Sequence, residues 1–301
     1  MTTASSPVRS RTGNGENALL RGFLSVADAW IARMTDEPRL IWFRRALEEI
    51  AQASTEMALA INIGLAPRRL GKADLSLTAD DKAFADALRP GLDPTEWSVD
   101  QLARIAFMAA SHGGDDVGFA LRLDSFCNTA EVNELIALCR GLPIYPAPAL
   151  LEPRAREAVR SGIKPVFEAV AHRNPYPGEV FSEDAWNHMV VKAIFIGSPL
   201  WPIQKLDQRA NPQLARMLVD LAHERWSAGR PVSGELWRCV APHADHEGIA
   251  ALTHVLETGT DMERLAVALA LQPSSAHPLK AMVKDLEARL ASERMDWRHF
   301  G

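Results

Sequence analysis

The chain has 301 residues, of which 47% are hydrophobic and 24% are charged, and its formal net charge is -5. This length allows a substantial core in one elongated domain or in two compact ones. The acidic balance leaves no general basic field, which excludes nucleic acid and anionic membranes as main partners.

The three cysteines contain no C-x-x-C pair. A disulfide framework and a cysteine-based zinc site are therefore not expected, and a reducing cytoplasm is the location that fits best. Residues 1–15 are small and polar and lack the apolar core of a secretory signal, so we predict a disordered tail there. No window approaches the roughly 20 apolar residues that a bilayer crossing requires.

Helical periodicity follows the tail. Apolar residues between Leu19 and Ile31 recur on one face, and a second helical run covers 39–62, with Gly64 and Pro67 expected to end it. Two pairs have the spacing of capping boxes: Thr78 with Asp81, and Ser98 with Gln101. Further helices are predicted over 115–126, 131–140 and 153–172. No segment alternates like a β-strand, so we predict an all-α domain over 16–230.

The last part of the chain, residues 231–301, has the pattern of stacked helical hairpins. Ser233 and Asp245 are placed to cap helices, Gly259 to end one, and Thr260 with Glu263 to open the next. Short amphipathic helices at short intervals are typical of HEAT-like α-solenoids, although an ordinary bundle gives much the same pattern. We predict a HEAT-like region packed on the preceding domain.

Polar residues interrupt the predicted helix over 183–196, which is apolar on most sides and follows a capping Ser182. Asn187, His188 and Lys192 would be costly to bury without partners. They are therefore candidate ligand-binding residues, and internal protein partners are the competing interpretation. The turn before this helix carries Asn174 and Tyr176, which can face the same pocket or serve only to orient the chain.

The loop over 197–210 has no periodicity, and loops of this length often form the rim of a binding site. Trp201 supplies an apolar plug, and Asp207 can pair with Arg209, which can instead bind an anion. Asn211 then caps a helix over 212–228.

Arg225 lies in the apolar stripe of that helix. We expect it to point inward and to pair with Asp207, with another acid or with a bound anion. Glu224 lies on the outer arc of the same helix.

Signatures of common enzymes and metal sites are missing. The chain lacks the nucleophile elbow, the phosphate-binding loop and the dinucleotide fingerprint, and Ser227 occupies the position where a zinc-protease motif beginning at His223 needs its second histidine. His243, Asp245, His246 and Glu247 match no zinc spacing. We predict no metal and no cofactor.

The chain resembles the EboA family in seven segments. They are GLPIYPAP (141–148), VFEAV (166–170), NPYP (174–177), AWNHMVVKAIF (185–195), LDQRAN (206–211), LARMLVDLAHERWSAGRPV (214–232) and ELWRCV (235–240). The resemblance implies a cytoplasmic bacterial protein encoded in a cluster that makes or moves a secondary metabolite toward the periplasm. Its neighbours there resemble a membrane prenyltransferase, a sugar isomerase and a metal hydrolase. The family offers no catalytic residues to transfer.

Two hypotheses follow. The preferred one is a non-catalytic helical adaptor that binds a metabolite, proteins of the same cluster, or both, with peripheral contact to a membrane partner protein. The other is an enzyme for a small anionic metabolite, in which His188 is the acid or base, Lys192 or Arg209 binds the anion, and Asp207 or Glu224 orients the histidine.

Overall fold

The computed structural model describes residues 13–52, 56–274 and 277–301. This part of the chain is helical and contains no β-strand, only an isolated antiparallel bridge between Asp74 and Ser98, so the all-α prediction is confirmed. The chain divides into two compact units, Met1–Phe181 and Ser182–Gly301. The domain boundary predicted at 230/231 falls inside the second unit.

The first unit is built around one buried helix, α5. Its helices are α1 (Gly13–Met34), α2 (Glu37–Gln52), α3 (Glu56–Leu70), α4 (Ala79–Leu88), α5 (Val99–Ala110), α6 (Asp116–Thr129), α7 (Val132–Arg140), α8 (Glu152–Arg160), α9 (Lys164–Ala171) and α10 (Tyr176–Val180). Helix α5 packs against α1, α2, α3 and α7 and buries almost its whole length. A short 3₁₀ helix, Pro148–Leu151, precedes α8.

Local capping signals are confirmed where a helix begins at a polar residue. The Thr78 hydroxyl accepts the Asp81 N–H at 3.2 Å, and the Asp81 carboxylate accepts the Thr78 N–H at 2.9 Å. This reciprocal pair satisfies two donors at the start of α4. At α5, the Gln101 side chain accepts the Ser98 N–H at 3.4 Å.

The predicted end of the second helical run is wrong. Gly64 and Pro67 lie inside α3, which continues to Leu70. A proline at 67 has no N–H for the carbonyl of Ile63, and the buried Arg104 guanidinium of α5 donates to that carbonyl at 3.1 Å instead. A partner distant in sequence thus makes the internal proline tolerable.

Two other predicted boundaries are also wrong. The tail prediction fails at residues 13–15, because α1 begins at Gly13; residues 1–12 lie outside the described part. The single helix predicted over 153–172 is two helices, α8 and α9, separated at 161–163. The Ser161 hydroxyl accepts the Ile163 N–H at 3.1 Å in this break, and Pro165 lies in the first turn of α9, where a proline is tolerated.

The second unit contains α11 (Glu183–Phe195), α12 (Leu206–Arg209), α13 (Pro212–Ser227), α14 (Leu236–Val240), α15 (His246–Thr258), α16 (Asp261–Leu271) and α17 (Lys284–Glu293). Helix α16 is central, because α14, α15 and α17 all pack against it. Its alanines at 266, 268 and 270 are buried, and small side chains allow neighbouring helices to approach closely. The HEAT-like arrangement stays a prediction.

Caps in the second unit follow the sequence with one exception. Asp245 accepts the Gly248 N–H at 3.1 Å, Thr260 forms its capping box with Glu263, and Gly259 ends α15. Ser233 does not cap α14, which begins at Leu236. The Ser233 hydroxyl donates to the carbonyl of Phe300 at 3.5 Å, a partner 67 residues away that no local pattern indicates.

We expect the three cysteines to resist labelling in the native protein. Cys127, Cys139 and Cys239 are buried free thiols. Burial raises the pKa of Cys127 and of Cys239 to about 12 and also raises the pKa of Cys139, so little reactive thiolate forms at neutral pH. Ellman's reagent should react slowly with native protein and with three thiols after denaturation in guanidinium; rapid native labelling would contradict this burial.

Candidate functional site

A largely apolar cavity of about 520 Å³ lies in the first unit. We call it the proline-loop cavity, because residues 142–150, the segment between α7 and α8, form most of its wall. Leu19 of α1 and Tyr176 and Val180 of α10 complete the apolar lining. Leu142, Ile144 and Tyr145 are almost fully buried, whereas Ala149 and Leu150 are exposed. We therefore take Ala149 and Leu150 as the mouth of the cavity, where it opens to solvent.

Four charged residues also line this cavity: Arg89, Asp116, Glu152 and Glu179. The Arg89 guanidinium is buried and forms a two-pronged ion pair with the Glu179 carboxylate. Its Nε also donates to the carbonyl of Pro143 at 3.0 Å, and Nη1 donates to the carbonyl of Pro90 at 3.1 Å. Arg89 therefore ties the proline loop to α10.

Tyr176 binds the C-terminal part of the proline loop. Its side chain is 1% exposed, and its hydroxyl donates to the carbonyl of Pro148 at 2.5 Å. Burial, with a smaller effect of the nearby Glu152 carboxylate, raises the pKa of Tyr176 well above its ordinary value. The hydroxyl consequently stays protonated and keeps donating throughout the physiological pH range.

The loop includes one strained residue. Ala147 has φ 48° and ψ 56°, the left-handed region that a residue with a Cβ seldom adopts. Such strain persists only where the surroundings fix it, as Arg89 and Tyr176 do here, and it is more common at binding sites than elsewhere.

Gly141, just before the proline loop, packs against the ring of Tyr145. A Cβ built on Gly141 would lie 2.3 Å from the Tyr145 ring carbon Cζ and from its hydroxyl oxygen, so the position has no room for a side chain. Burial raises the pKa of Tyr145 well above its ordinary value, with smaller contributions from Cys127 and Cys139. The absence of a side chain at Gly141 therefore leaves the space that the Tyr145 ring occupies.

Of the predicted ligand-binding residues, Tyr176 lies in this cavity and Asn174 lies just outside it. The buried Asn174 amide donates to the carbonyls of Ala169 and Cys139, at 3.2 and 3.4 Å, and its oxygen accepts the Tyr176 N–H at 3.0 Å. Asn174 is thus fully used in shaping the turn that places Tyr176.

Asn174 also borders a smaller polar groove of about 170 Å³. Arg173, which has φ 50°, pairs there with Asp93 at 2.8 Å and with Glu96 at 2.9 Å. Arg140 on the same groove donates to the carbonyl of Glu96 at 2.7 Å. These charges largely neutralise one another, so the groove offers a ligand less than the proline-loop cavity does.

Asn187 in the second unit is buried, as predicted. It forms a reciprocal amide pair with Asn211, with distances of 3.2 and 2.8 Å, and Asn211 also caps α13 by accepting the Leu214 N–H at 2.8 Å. The pair joins α11 to the start of α13. The burial of this amide is therefore explained by a protein partner.

His188 is not buried, so the expectation of a polar group hidden in α11 is wrong for this residue. Its side chain is 66% exposed, and Nδ1 lies 2.8 Å from the carbonyl oxygen of Asp184 on the same helix. Position 188 lies on the face of α11 that also exposes Phe195. Lys192 is partly buried, and this burial lowers the pKa of its ammonium group.

Arg209 and Asp207 each contact a residue of a different helix. The Arg209 guanidinium carbon lies 4.7 Å from the ring centre of the fully buried Trp186, and partial burial lowers the pKa of Arg209. Asp207 instead forms a two-pronged ion pair with Arg238 of α14, at 2.6 and 2.7 Å.

Within the described part of the chain, the partner of Arg225 is a backbone carbonyl and not the expected carboxylate. The residue is only partly buried, and Nε donates to the carbonyl of Pro231 at 2.6 Å, which closes the turn after α13. Glu224 is exposed, as predicted. The Trp201 N–H donates to the buried Glu235 carboxylate at 2.5 Å, so a carboxylate that was not among the candidates holds the loop.

The site residues that local sequence patterns do not indicate are those that the fold brings together from distant positions in the chain. Arg89 and Glu179 are 90 residues apart, and neither has an unusual local context. The proline loop falls in the gap between the helices predicted over 131–140 and 153–172. The family-like segments GLPIYPAP and NPYP are the sequence signal for this site, because together they supply half of the residues that line the cavity.

A protein-family model matches most of the chain. The family model described as "Metabolite traffic protein EboA" matches residues 24–241. Among curated proteins and among solved structures, none matches the chain. Within the described residues, no group of three or more His, Cys, Asp or Glu side chains is arranged to hold a metal ion, and no helix has the length and apolar character of a membrane span. The family match covers well over half of the sequence, and the chain therefore belongs to the EboA family of metabolite traffic proteins.

Proposed function

We propose that this chain is a binding protein that holds an apolar small molecule in the proline-loop cavity during metabolite traffic. The observation that carries the proposal is the cavity itself. Its volume of about 520 Å³ lies within the range of about 300–1,000 Å³ typical of small-molecule sites. Its wall combines a mostly apolar surface with a few charged groups, which is the usual composition of such sites.

The rigidity of the wall supports binding over passive packing. Prolines at 143, 146 and 148 restrict the backbone, and the side chains of Arg89 and Tyr176 each bind one of its carbonyls. A wall fixed in advance loses little conformational entropy when a ligand enters. The strain at Ala147 fits the same interpretation.

The exposure of His188 favours binding over catalysis. The enzyme hypothesis requires its imidazole to meet an anion-binding group in a cavity, whereas His188 is exposed and bonded to its own helix. The adaptor role is part of the proposal: the loaded protein contacts other proteins of the same cluster in the cytoplasm, and a HEAT-like second unit supplies the docking surface. Family membership supports this part.

The binding proposal is tested with N-phenyl-naphthylamine, a neutral apolar dye whose fluorescence rises in dry pockets. We expect saturable binding of one dye per chain. Replacing Val180, which lines the cavity, by phenylalanine should weaken binding at least about tenfold because the larger side chain fills space that the dye needs.

A matched control uses the same substitution elsewhere. Val117 on α6 is 60% exposed and does not line the cavity, so Val117→Phe should bind the dye like the unmodified protein. Unaltered dye binding by Val180→Phe, or no binding by the unmodified protein, would reject the proline-loop cavity as the site.

A further inference from the structure

We infer that the ligand carries a cationic nitrogen on its apolar body, held at the mouth by Glu152 and Asp116. This inference rests on the proposed function, since it assigns a chemical class to the molecule in the same cavity. It runs against the anionic metabolite of the enzyme hypothesis.

The charges around the cavity are unequal. Three carboxylates and one guanidinium line it, and the guanidinium of Arg89 is already paired with one of the carboxylates, Glu179. Glu152 and Asp116 thus remain as the charges that face the cavity without being neutralised by Arg89. The mouth therefore attracts a positive charge and repels a negative one.

The partners of these two acids leave them accessible. The Glu152 side chain is 29% exposed, and its ion pair with Arg156 is long at 3.9 Å. Asp116 is 48% exposed and accepts one contact from the His112 ring at 2.7 Å. Each acid therefore has an oxygen available to a ligand.

Several hydrogen-bond donors in the cavity wall already have acceptors within the protein. The prolines of the loop have no N–H, and the N–H groups of Ile144 and Tyr145 both donate to the carbonyl of Gly141. The Tyr176 hydroxyl is committed to the carbonyl of Pro148, and Arg89 to carbonyls and to Glu179. Among the described residues, the buried hydroxyl of the lining residue Tyr145 has no hydrogen-bond partner and is one donor that remains. A carboxylate or phosphate placed here would lose its water and gain few hydrogen bonds in exchange.

The test uses three probes of nearly equal size that displace the bound dye: naphthalene-methylammonium, naphthalenemethanol and naphthoate. The expected order is cation, then neutral alcohol, then anion, with about tenfold between the cation and the anion, because a unit charge a few ångströms from partly exposed carboxylates is worth about that factor. The preference should shrink as salt is added.

Variants of the two acids test the assignment directly. Glu152→Gln and Asp116→Asn should each reduce the ratio of ammonium to naphthoate affinity, whereas Glu157→Gln should keep it, since Glu157 is on the same helix as Glu152 but 61% exposed and away from the cavity. Dye affinity in each variant reports whether the cavity is intact.

The outcomes separate the two proposals. Equal affinity for the three probes, or tighter naphthoate, with normal dye binding overturns the cationic ligand and leaves the cavity as a binding site. An amine preference that survives both acid substitutions also overturns it. Failure of the unmodified protein to bind the dye or any probe overturns the binding function, and the cationic ligand falls with it.

Discussion

Arg89→Ala should destabilise the first unit by about 3 kcal/mol and abolish dye binding in the proline-loop cavity. The substitution leaves the Pro143 carbonyl without its donor and the Glu179 carboxylate without its guanidinium, and both groups lie at the cavity wall. This cost is at the lower end of the roughly 3–5 kcal/mol for breaking a buried ion pair because the Glu179 side chain is 31% exposed.

Hydrogen exchange followed by mass spectrometry is the suitable measurement, because it reports on the loop over 142–150 separately from the second unit. The Ile144 and Tyr145 amides, which bond to Gly141, should exchange faster in Arg89→Ala. Arg89→Lys should be intermediate, since lysine keeps the charge but cannot form the two-pronged pair.

The matched control for Arg89 is another arginine in a two-pronged carboxylate pair. Arg44 binds Asp28 at 2.6 and 2.7 Å, but its side chain is 52% exposed. Arg44→Ala should therefore leave both exchange and dye binding close to those of the unmodified protein. Equal effects of the two substitutions would show that Arg89 does not hold the cavity wall.

Glu235→Ala should destabilise the second unit by about 3 kcal/mol near neutral pH, since two backbone donors lose their acceptor. The Glu235 side chain is fully buried and accepts the N–H groups of Leu200 and Trp201 at 2.6 and 2.5 Å. Glu235→Gln keeps one acceptor oxygen, and about 1 kcal/mol is expected for it. Exchange of the Leu200 and Trp201 amides measures both effects.

The pH dependence of this loss has a defined sign. Burial raises the pKa of Glu235 in the folded protein, although its two backbone hydrogen bonds act in the opposite direction. The folded state therefore holds this proton more tightly than the unfolded chain does, and the resulting stability is complete below the ordinary glutamate pKa of about 4.3 and disappears as pH rises through the raised value. Alanine lacks this contribution.

Urea unfolding should thus show that Glu235→Ala lowers the free energy of unfolding more at about pH 4 than at about pH 7. Glu224→Ala removes an exposed carboxylate from the same unit and should change the unfolding free energy by less than about 0.5 kcal/mol at either pH. A loss for Glu235→Ala that grows toward neutral pH would contradict the raised pKa.

The helix starts show how far the chain can be predicted from local patterns. Thr78, Ser182, Asn211, Asp245 and Thr260 were expected to cap helices, and the structure places each of them there. Their partners lie within three residues, so the sequence near each cap contains the whole interaction. Ser233 failed because its partner, the carbonyl of Phe300, lies far away in the chain.

The candidate site shows what local patterns do not predict. Tyr176 was among the expected ligand-binding residues and lies in the cavity wall, but His188 was expected in a buried segment and is exposed. Periodicity placed His188 on a helix that is apolar on most sides. Periodicity alone does not show which side of α11 the rest of the second unit covers.

The sequence by itself determined that this chain is helical, where most of its capped helices begin and which family it resembles, because capping and periodicity act within a few residues and motif wording is read directly. Only the tertiary structure decided which polar groups meet. Arg89 with Glu179, Asp207 with Arg238 and Arg104 with the Ile63 carbonyl are 90, 31 and 41 residues apart. Pairs at such separations form because packing of the helices brings their side chains together. The local sequence around one partner does not indicate which residue the other partner is.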